Sequence, residues 1–292
     1  MQKINVRSIR SKATEEYRHE LANEYIKKSW VRNFLNKYDL DENYLIENLG
    51  TFIRINEENE VCEHCVGYEK CPKLSKGFQT SYNPLNDEVI YASCERRNEY
   101  EKVSNNYIRR DFLDEWVTLD LLSDVKVNPL RKGIQIALMQ LLNDITDKGI
   151  YLYGLGESGK SFILASFCNE LIRAKNKKVA FVDVSSFLNE LKNLFGVSNA
   201  DIEEKIKELQ MVDVLVLDDI GGETYSAWSI NDVLLKIIDY RNRNNLLTLY
   251  TSQYSLNELK KEYEKKSSKA SRLIQKILAH SKELELKSLE LL

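Results

Sequence analysis

Proline is scarce here, with three residues in 292, and so few interruptions suit a helix-rich chain. No stretch approaches the roughly 18 uninterrupted apolar residues of a membrane span. The N-terminus, MQKINVRSIRSKATEEYRHE, lacks the apolar core of a secretory signal. A cytoplasmic protein without a membrane partner is therefore expected. Internal repeats and low-complexity tracts are also missing. Excess charge of one sign is absent too: 42 Lys and Arg face 45 Asp and Glu, for a net −3. That balance excludes a whole-surface affinity for polyanions, so any nucleic-acid contact must come from a local patch. The chain does have an ordinary apolar fraction, 43%, and a length that allows roughly two domains.

The strongest pattern is GLGESGKS at Gly154–Ser161, which fits G-x-x-x-x-G-K-[ST] through Gly154, Gly159, Lys160 and Ser161. A short apolar run, Ile150–Tyr153, precedes it and reads as a buried strand. After it, Ile163, Leu164, Phe167, Leu171 and Ile172 recur at helical spacing. A strand, a glycine loop and a helix N-terminus make an anion site, because unpaired N–H groups and the helix dipole both face the phosphates. Lys160 would reach the β- and γ-phosphates of ATP, and the Ser161 hydroxyl would ligate Mg²⁺. The plainer reading is a glycine-rich turn before an ordinary helix. Further on, VLVLDDIG at 214–221 ends four apolar β-formers in Asp218 and Asp219, the first of them 58 residues past Lys160. One carboxylate at the strand end would hold the Mg²⁺ shell while its neighbour polarises water. An aspartate pair in a turn after a buried strand is the alternative.

The flanking segments alternate strand and helix. VAFV at 179–182 reads as a strand, Asp183 and Ser185 open a helix over SFLNELKNLF, and a further helix covers 201–210. An amphipathic helix spans 227–243, LLTLYTSQ at 246–253 is a strand, and Ser255 with Glu258 forms a capping box. A last helix near 268–280 carries Arg272, followed by a short ELEL stretch. This alternation predicts a parallel sheet covered on both faces. Pro129 is placed as the first residue of a helix that Gly149 ends. The charged stretch before it, within 101–126, reads as a linker between an N-terminal domain, 1–100, and a nucleotide domain, 127–292. In the first of these, Tyr17, Leu21, Tyr25, Trp30, Phe34 and Leu35 suit amphipathic helices as core or as a partner face. Asp41 caps a second stretch that Gly50 stops.

Four of the five cysteines cluster as Cys62-x2-Cys65-x5-Cys71 and, after 22 intervening residues, Cys94. Four thiolates suit a closed, structural Zn²⁺ site, with His64 a possible substitute ligand; separate buried or free thiols are the other reading. Cys168 has core spacing only.

KGIYLYGLGESGKS, VLVLDDIG, YTSQYS and SKASRLIQKI together resemble the bacterial replicative helicase loaders of the DnaI/DnaC type, within the AAA+ ATPases. With the cysteine module, the likeness favours the DnaI side. The resemblance implies an α/β fold: a lid-less AAA+ P-loop ATPase domain plus a small helical, zinc-containing N-terminal domain that binds the hexameric replicative helicase. It also implies single-stranded DNA binding, self-association through the ATPase domain, and a weak, partner-stimulated ATPase acting in replication initiation or restart. Gly154, Leu155, Gly156, Glu157, Ser158, Gly159, Lys160, Ser161 and Phe162 would then hold the nucleotide, and Ser161 and Asp218 the magnesium. Asp219 takes the place of a catalytic Glu, and Gln253 stands where the first sensor is usually Asn. Arg272 matches an arginine that acts on a neighbour's γ-phosphate, while Lys276 replaces a second arginine. Phe78 occupies the place of a metal-binding His, which leaves the ligands as Cys62, Cys65, Cys71 and Cys94. Lys192 and Phe187, on the helix after the second strand, are candidates for DNA contact, with Phe187 equally readable as core. Other readings are an IstB-like transposition helper, a small-molecule kinase, or a zinc scaffold with a vestigial nucleotide site.

Overall fold

The computed structural model describes residues 12–86, 88–125, 131–144, 146 and 148–287, so Pro129 lies outside the described residues. The chain divides into two compact units, one through Asn98 and one from Glu99 onward. Among the described residues no helix is long and apolar enough to cross a membrane.

The first unit consists of α1 (Lys12–Tyr25), α2 (Ser29–Tyr38), α3 (Glu42–Glu47), α4 (Leu49–Glu63) and an antiparallel hairpin of β1 (Phe78–Asn83) and β2 (Glu88–Ser93). Asp41 caps α3, accepting the Tyr44 N–H at 2.9 Å. Gly50 does not stop that helix: α3 already ends at Asn48, and Gly50 lies in the first turn of α4. Leu49, Phe52 and Ile55 carry a buried stripe onward through α4. Their burial outweighs a glycine's cost of about 1 kcal/mol in a helix. Trp30 stacks on Phe52 and Phe34 meets it edge-on at 5.3 Å, so these aromatics serve the core.

Helix α5 (Glu95–Asn106) leads into β3 (Tyr107–Arg110), a 3-10 turn at Asp114–Thr118 and α6 (Leu121–Val125). Then follow α7 (Lys132–Leu142), β4 (Gly149–Tyr153), α8 (Lys160–Lys175), β5 (Val179–Asp183), α9 (Val184–Asn193), α10 (Asn199–Met211) and β6 (Val214–Asp218). A wider π turn at Ser229–Leu234 enters α11 (Leu235–Arg243), and β7 (Leu247–Ser252), α12 (Leu256–Glu264), α13 (Ala270–His280) and β8 (Ser281–Glu285) complete the unit.

All six strands of its sheet are parallel, in the order β3-β5-β6-β7-β4-β8. From β4 the chain moves out to β5, returns through β6 and β7, and crosses to β8. Strand order therefore reverses beside β4, which opens a crevice at its carboxyl end. Both faces are covered. Leu188, Leu209, Ile237, Leu259 and Leu273 from α9 to α13 fill one core, and Leu138, Leu164, Phe167 and Ile172 from α7 and α8 fill the other.

Part of the segment read as a linker belongs to this sheet. Tyr107 donates its hydroxyl to Asn169 at 2.8 Å, Phe112 packs edge-on against Phe181, and Asn169 donates to the Trp116 carbonyl at 2.7 Å. Its charges made the segment look irregular, yet they sit on an edge strand and pair locally, as Arg109 does with Asp111 at 2.8 Å. Gly149 is likewise no helix stop. It begins β4, where a Cβ would run into the Thr248 carbonyl of the neighbouring strand. The ELEL stretch is β8 and its end, with Leu284 paired to Leu152.

Candidate nucleotide site

The phosphate loop leaves β4 where the crevice opens. Gly154 donates its N–H to Ser252 O at 3.2 Å, and a Cβ on it would strike the Leu286 carbonyl. Glu157 and Gly159 take positive φ, 58° and 91°, and Gly159 enters α8 from the left-handed region that favours glycine. Leu155, Gly156 and Glu157 are exposed, whereas Lys160 is buried. Its ammonium donates to Gly154 O at 3.0 Å, Leu155 O at 2.7 Å and Ser158 Oγ at 3.4 Å. Burial lowers the Lys160 pKa, and the charges of Asp219 and Asp218 oppose that. Arg131, which motif reading missed, donates to Ser158 O at 3.1 Å, over the face of Gly159 that lacks a Cβ. Phe162 faces Trp116 edge-on at 5.6 Å.

The acidic end lies two strands away, across β7, at the end of β6. Asp218 Oδ1 accepts the Ser161 hydroxyl at 2.8 Å and the Thr251 hydroxyl at 2.6 Å. Burial raises the Asp218 pKa; these two hydrogen bonds pull it down, and the nearby Asp219 and Asp183 charges push it up again. A paired hydroxyl and carboxylate are hard oxygen donors, so the residues fit Mg²⁺ held together with substrate phosphates. Asp219 takes a φ of 54°, its N–H donates to Thr251 Oγ at 2.8 Å, and Gln253 Nε2 donates to its Oδ1 at 3.4 Å. A cavity of about 510 Å³ opens beside Ser161 and Asp218, walled by Arg110, Phe112 and Trp116. Loop, carboxylate pair and polar strand end thus converge at one crevice. Thr251 was not singled out from sequence, because a threonine in a buried strand carries no sign of which neighbour it faces.

A protein-family model described as IstB-like ATP binding protein matches residues 129–290, more than half of the chain. The chain belongs to that family. Among similar proteins, the replicative helicase loader DnaI of Bacillus subtilis (strain 168) is 28% identical over 265 residues, covering 85% of this chain and 84% of its own. The replicative helicase loader DnaC of Escherichia coli (strain K12) is 29% identical over 104 residues, covering 36% of this chain and 42% of its own. A crystal structure of DnaI matches with a TM-score of 0.56 at 29% identity, over 62% of this chain and 98% of that one. The likeness to helicase loaders read from the motifs holds in these comparisons, and the fold is that of an α/β AAA+ domain.

Arg272 is exposed on α13 and makes no ion pair with any described residue. Lys276 is engaged instead with Asp239 at 2.8 Å. Phe187 is core, 2% exposed, with the Arg109 guanidinium over its ring, so it is not free to stack on a base; Lys192 remains partly exposed. The cysteines do not assemble: among the described residues no three of His, Cys, Asp and Glu form a group able to hold a metal. Cys62 sits in the last turn of α4 and Cys65 is exposed beyond it, so helix persists where the knuckle was expected to turn. Cys71 and Cys94 each bond Gly77, whose amide reaches the Cys71 sulfur and whose carbonyl accepts the Cys94 N–H at 2.8 Å. Burial raises the Cys71 thiol pKa, but the amides of Gly77 and Lys73 and the charges of Lys73 and Lys76 bring it below the usual value.

Proposed function

We propose that the chain is an ATP-dependent loader that binds a hexameric replicative helicase and helps place it on single-stranded DNA. The observation that carries this reading is the reach of the likeness to DnaI: 85% of the chain, more than the nucleotide unit alone holds. In this reading Gly154–Phe162 wrap the phosphates, and Lys160 exchanges its loop carbonyls for the β- and γ-oxygens. Ser161 and Asp218 hold Mg²⁺, which would draw charge from those oxygens. Asp219 and Gln253 orient the attacking water. Hydrolysis is weak, is raised by the partners, and times release rather than supplying flux. Self-association brings Arg272 to a second copy. Zinc on Cys62, Cys65, Cys71 and Cys94 stays within the proposal on two grounds, their spacing and the amides that hydrogen-bond the Cys71 sulfur.

Capture of the organism's own helicase hexamer by the full-length chain tests the reading. Retention is expected with ATP and Mg²⁺ present. Lys160→Ala should abolish tight ATP binding without unfolding the first unit. Failure to retain the helicase, joined to ATP-dependent coating of duplex DNA, would move the chain to the transposition-helper side of its IstB-like family.

A further inference from the structure

Five residues past Asp218, Glu223 is a buried carboxylate, 4% exposed. Its Oε2 accepts the Gly221 N–H at 2.6 Å, and its Oε1 accepts the hydroxyl of Tyr263, a fully buried residue of α12. Burying such a pair is costly unless every polar atom finds a partner, and here both do. Nearby, Tyr225 donates its hydroxyl to Glu262 at 2.9 Å, and its ring packs on Tyr263 at 5.2 Å. The loop after β6 is thus strapped to α12 at two places.

Between Asp218 and these straps lies the turn that aims Asp219. Gly221 takes a φ of 96°, and a Cβ there would meet Leu259 of α12 at 2.7 Å. At Gly222 a Cβ would run into the Asp219 carboxylate itself. The opposite side of the turn is tied to β7, where Ile220 N–H donates to Thr251 O at 2.9 Å and Ser252 Oγ donates to Ile220 O at 2.6 Å. Asp219 therefore has its direction set by β7 on one side and by α12 on the other. Helix α12 shares its core with α13, the helix of Arg272.

We infer that Glu223 and Tyr263 are positioning residues for hydrolysis. They hold the Asp219 turn in register against α12 and so link the water-orienting carboxylate to the arginine helix. The inference rests on the role proposed for Asp219. Tyr263→Phe removes one hydroxyl and keeps the ring, and Glu223→Gln keeps the shape. Full-length parent, both variants and Asp219→Asn are compared with helicase and single-stranded DNA present, following kcat, KM, the Kd for a fluorescent ATP analogue and Tm. Both positioning variants should lose about 10- to 100-fold in kcat with KM and Kd little changed, as misplacement of a reacting group does. Parent-level kcat in Tyr263→Phe and Glu223→Gln, beside an inactive Asp219→Asn, overturns the positioning role alone. Parent-level kcat in Asp219→Asn overturns the Asp219 reading itself. A joint fall of Tm and nucleotide affinity, with kcat per bound nucleotide unchanged, makes the pair a folding support and also overturns the inference.

Discussion

Asp218 is held by two hydroxyls yet buried beside other carboxylates, and burial dominates its pKa. A carboxyl whose folded-state pKa is raised binds its proton more readily folded than unfolded. Its contribution therefore favours the folded state as pH falls through the raised value, and this gain is lost as pH rises. At neutral pH, without Mg²⁺ and nucleotide, the charge works against the fold. Asp218→Asn keeps an oxygen for Ser161 and Thr251 while removing that charge, so it should raise the melting temperature of the metal-free protein. The rise should shrink toward pH 4, and Mg²⁺-dependent ATP binding should be lost. Calorimetry across pH checks this; an equal or lower melting temperature at pH 7 would count against burial as the dominant cause. The places of Lys160, Ser161 and Asp218 at one crevice were readable because phosphate and magnesium chemistry would demand those residue types at fixed positions. Glu223, Arg131 and Thr251 were not, since their roles depend on contacts between distant segments.

Elements were legible where local chemistry and tertiary packing agree. The Ser255–Glu258 capping box forms in both directions, and Asp183 caps α9 by accepting the Ser186 N–H at 2.6 Å. They were misread where distant packing decides. Strand β3 is polar and short, and it becomes a strand because β5 offers an edge. Gly149 serves a close approach between strands that only the folded sheet reveals. Buried Arg241 also works across distant segments: its guanidinium donates to the carbonyls of Leu209, Val212 and Leu247, tying the end of α10 to β7 without a carboxylate partner among those acceptors. The cysteine segment remains the element with most at stake. One Zn per full-length chain is expected from metal analysis, and Cys71→Ser should lower it sharply while leaving ATP binding intact. Metal near zero on protein prepared without chelator would remove zinc from the proposal and leave Cys71 and Cys94 as ordinary thiols around Gly77.

At the scale of the whole molecule, the question for the proposed nucleotide site is whether a second copy adds a cation to it. Lys160 lies inside the loop, and Arg131 bonds the loop's Ser158 carbonyl. Arg272 is exposed on α13, whose apolar residues Leu273, Ile274 and Ile277 are buried in the core, so packing fixes the helix while the guanidinium stays outside. It has no ion pair among the described residues, whereas its neighbour Lys276 is held by Asp239. A fixed helix that presents an unpaired guanidinium suits a role in a second copy's site. An ordinary solvated arginine among Lys265, Lys266 and Lys269 is the competing account. The two accounts part in a mixing experiment. Arg272→Ala should bind ATP normally and, with helicase and single-stranded DNA present, hydrolyse it poorly, since a finger of this kind contributes roughly 10³–10⁵ in rate. Lys160→Ala should be inactive alone but able to supply the missing arginine. Mixing the two inactive chains should restore part of the parent's turnover, with a maximum near equal proportions. Full activity of Arg272→Ala by itself would return the residue to the solvated surface; no recovery on mixing would mean that the arginine acts within its own chain.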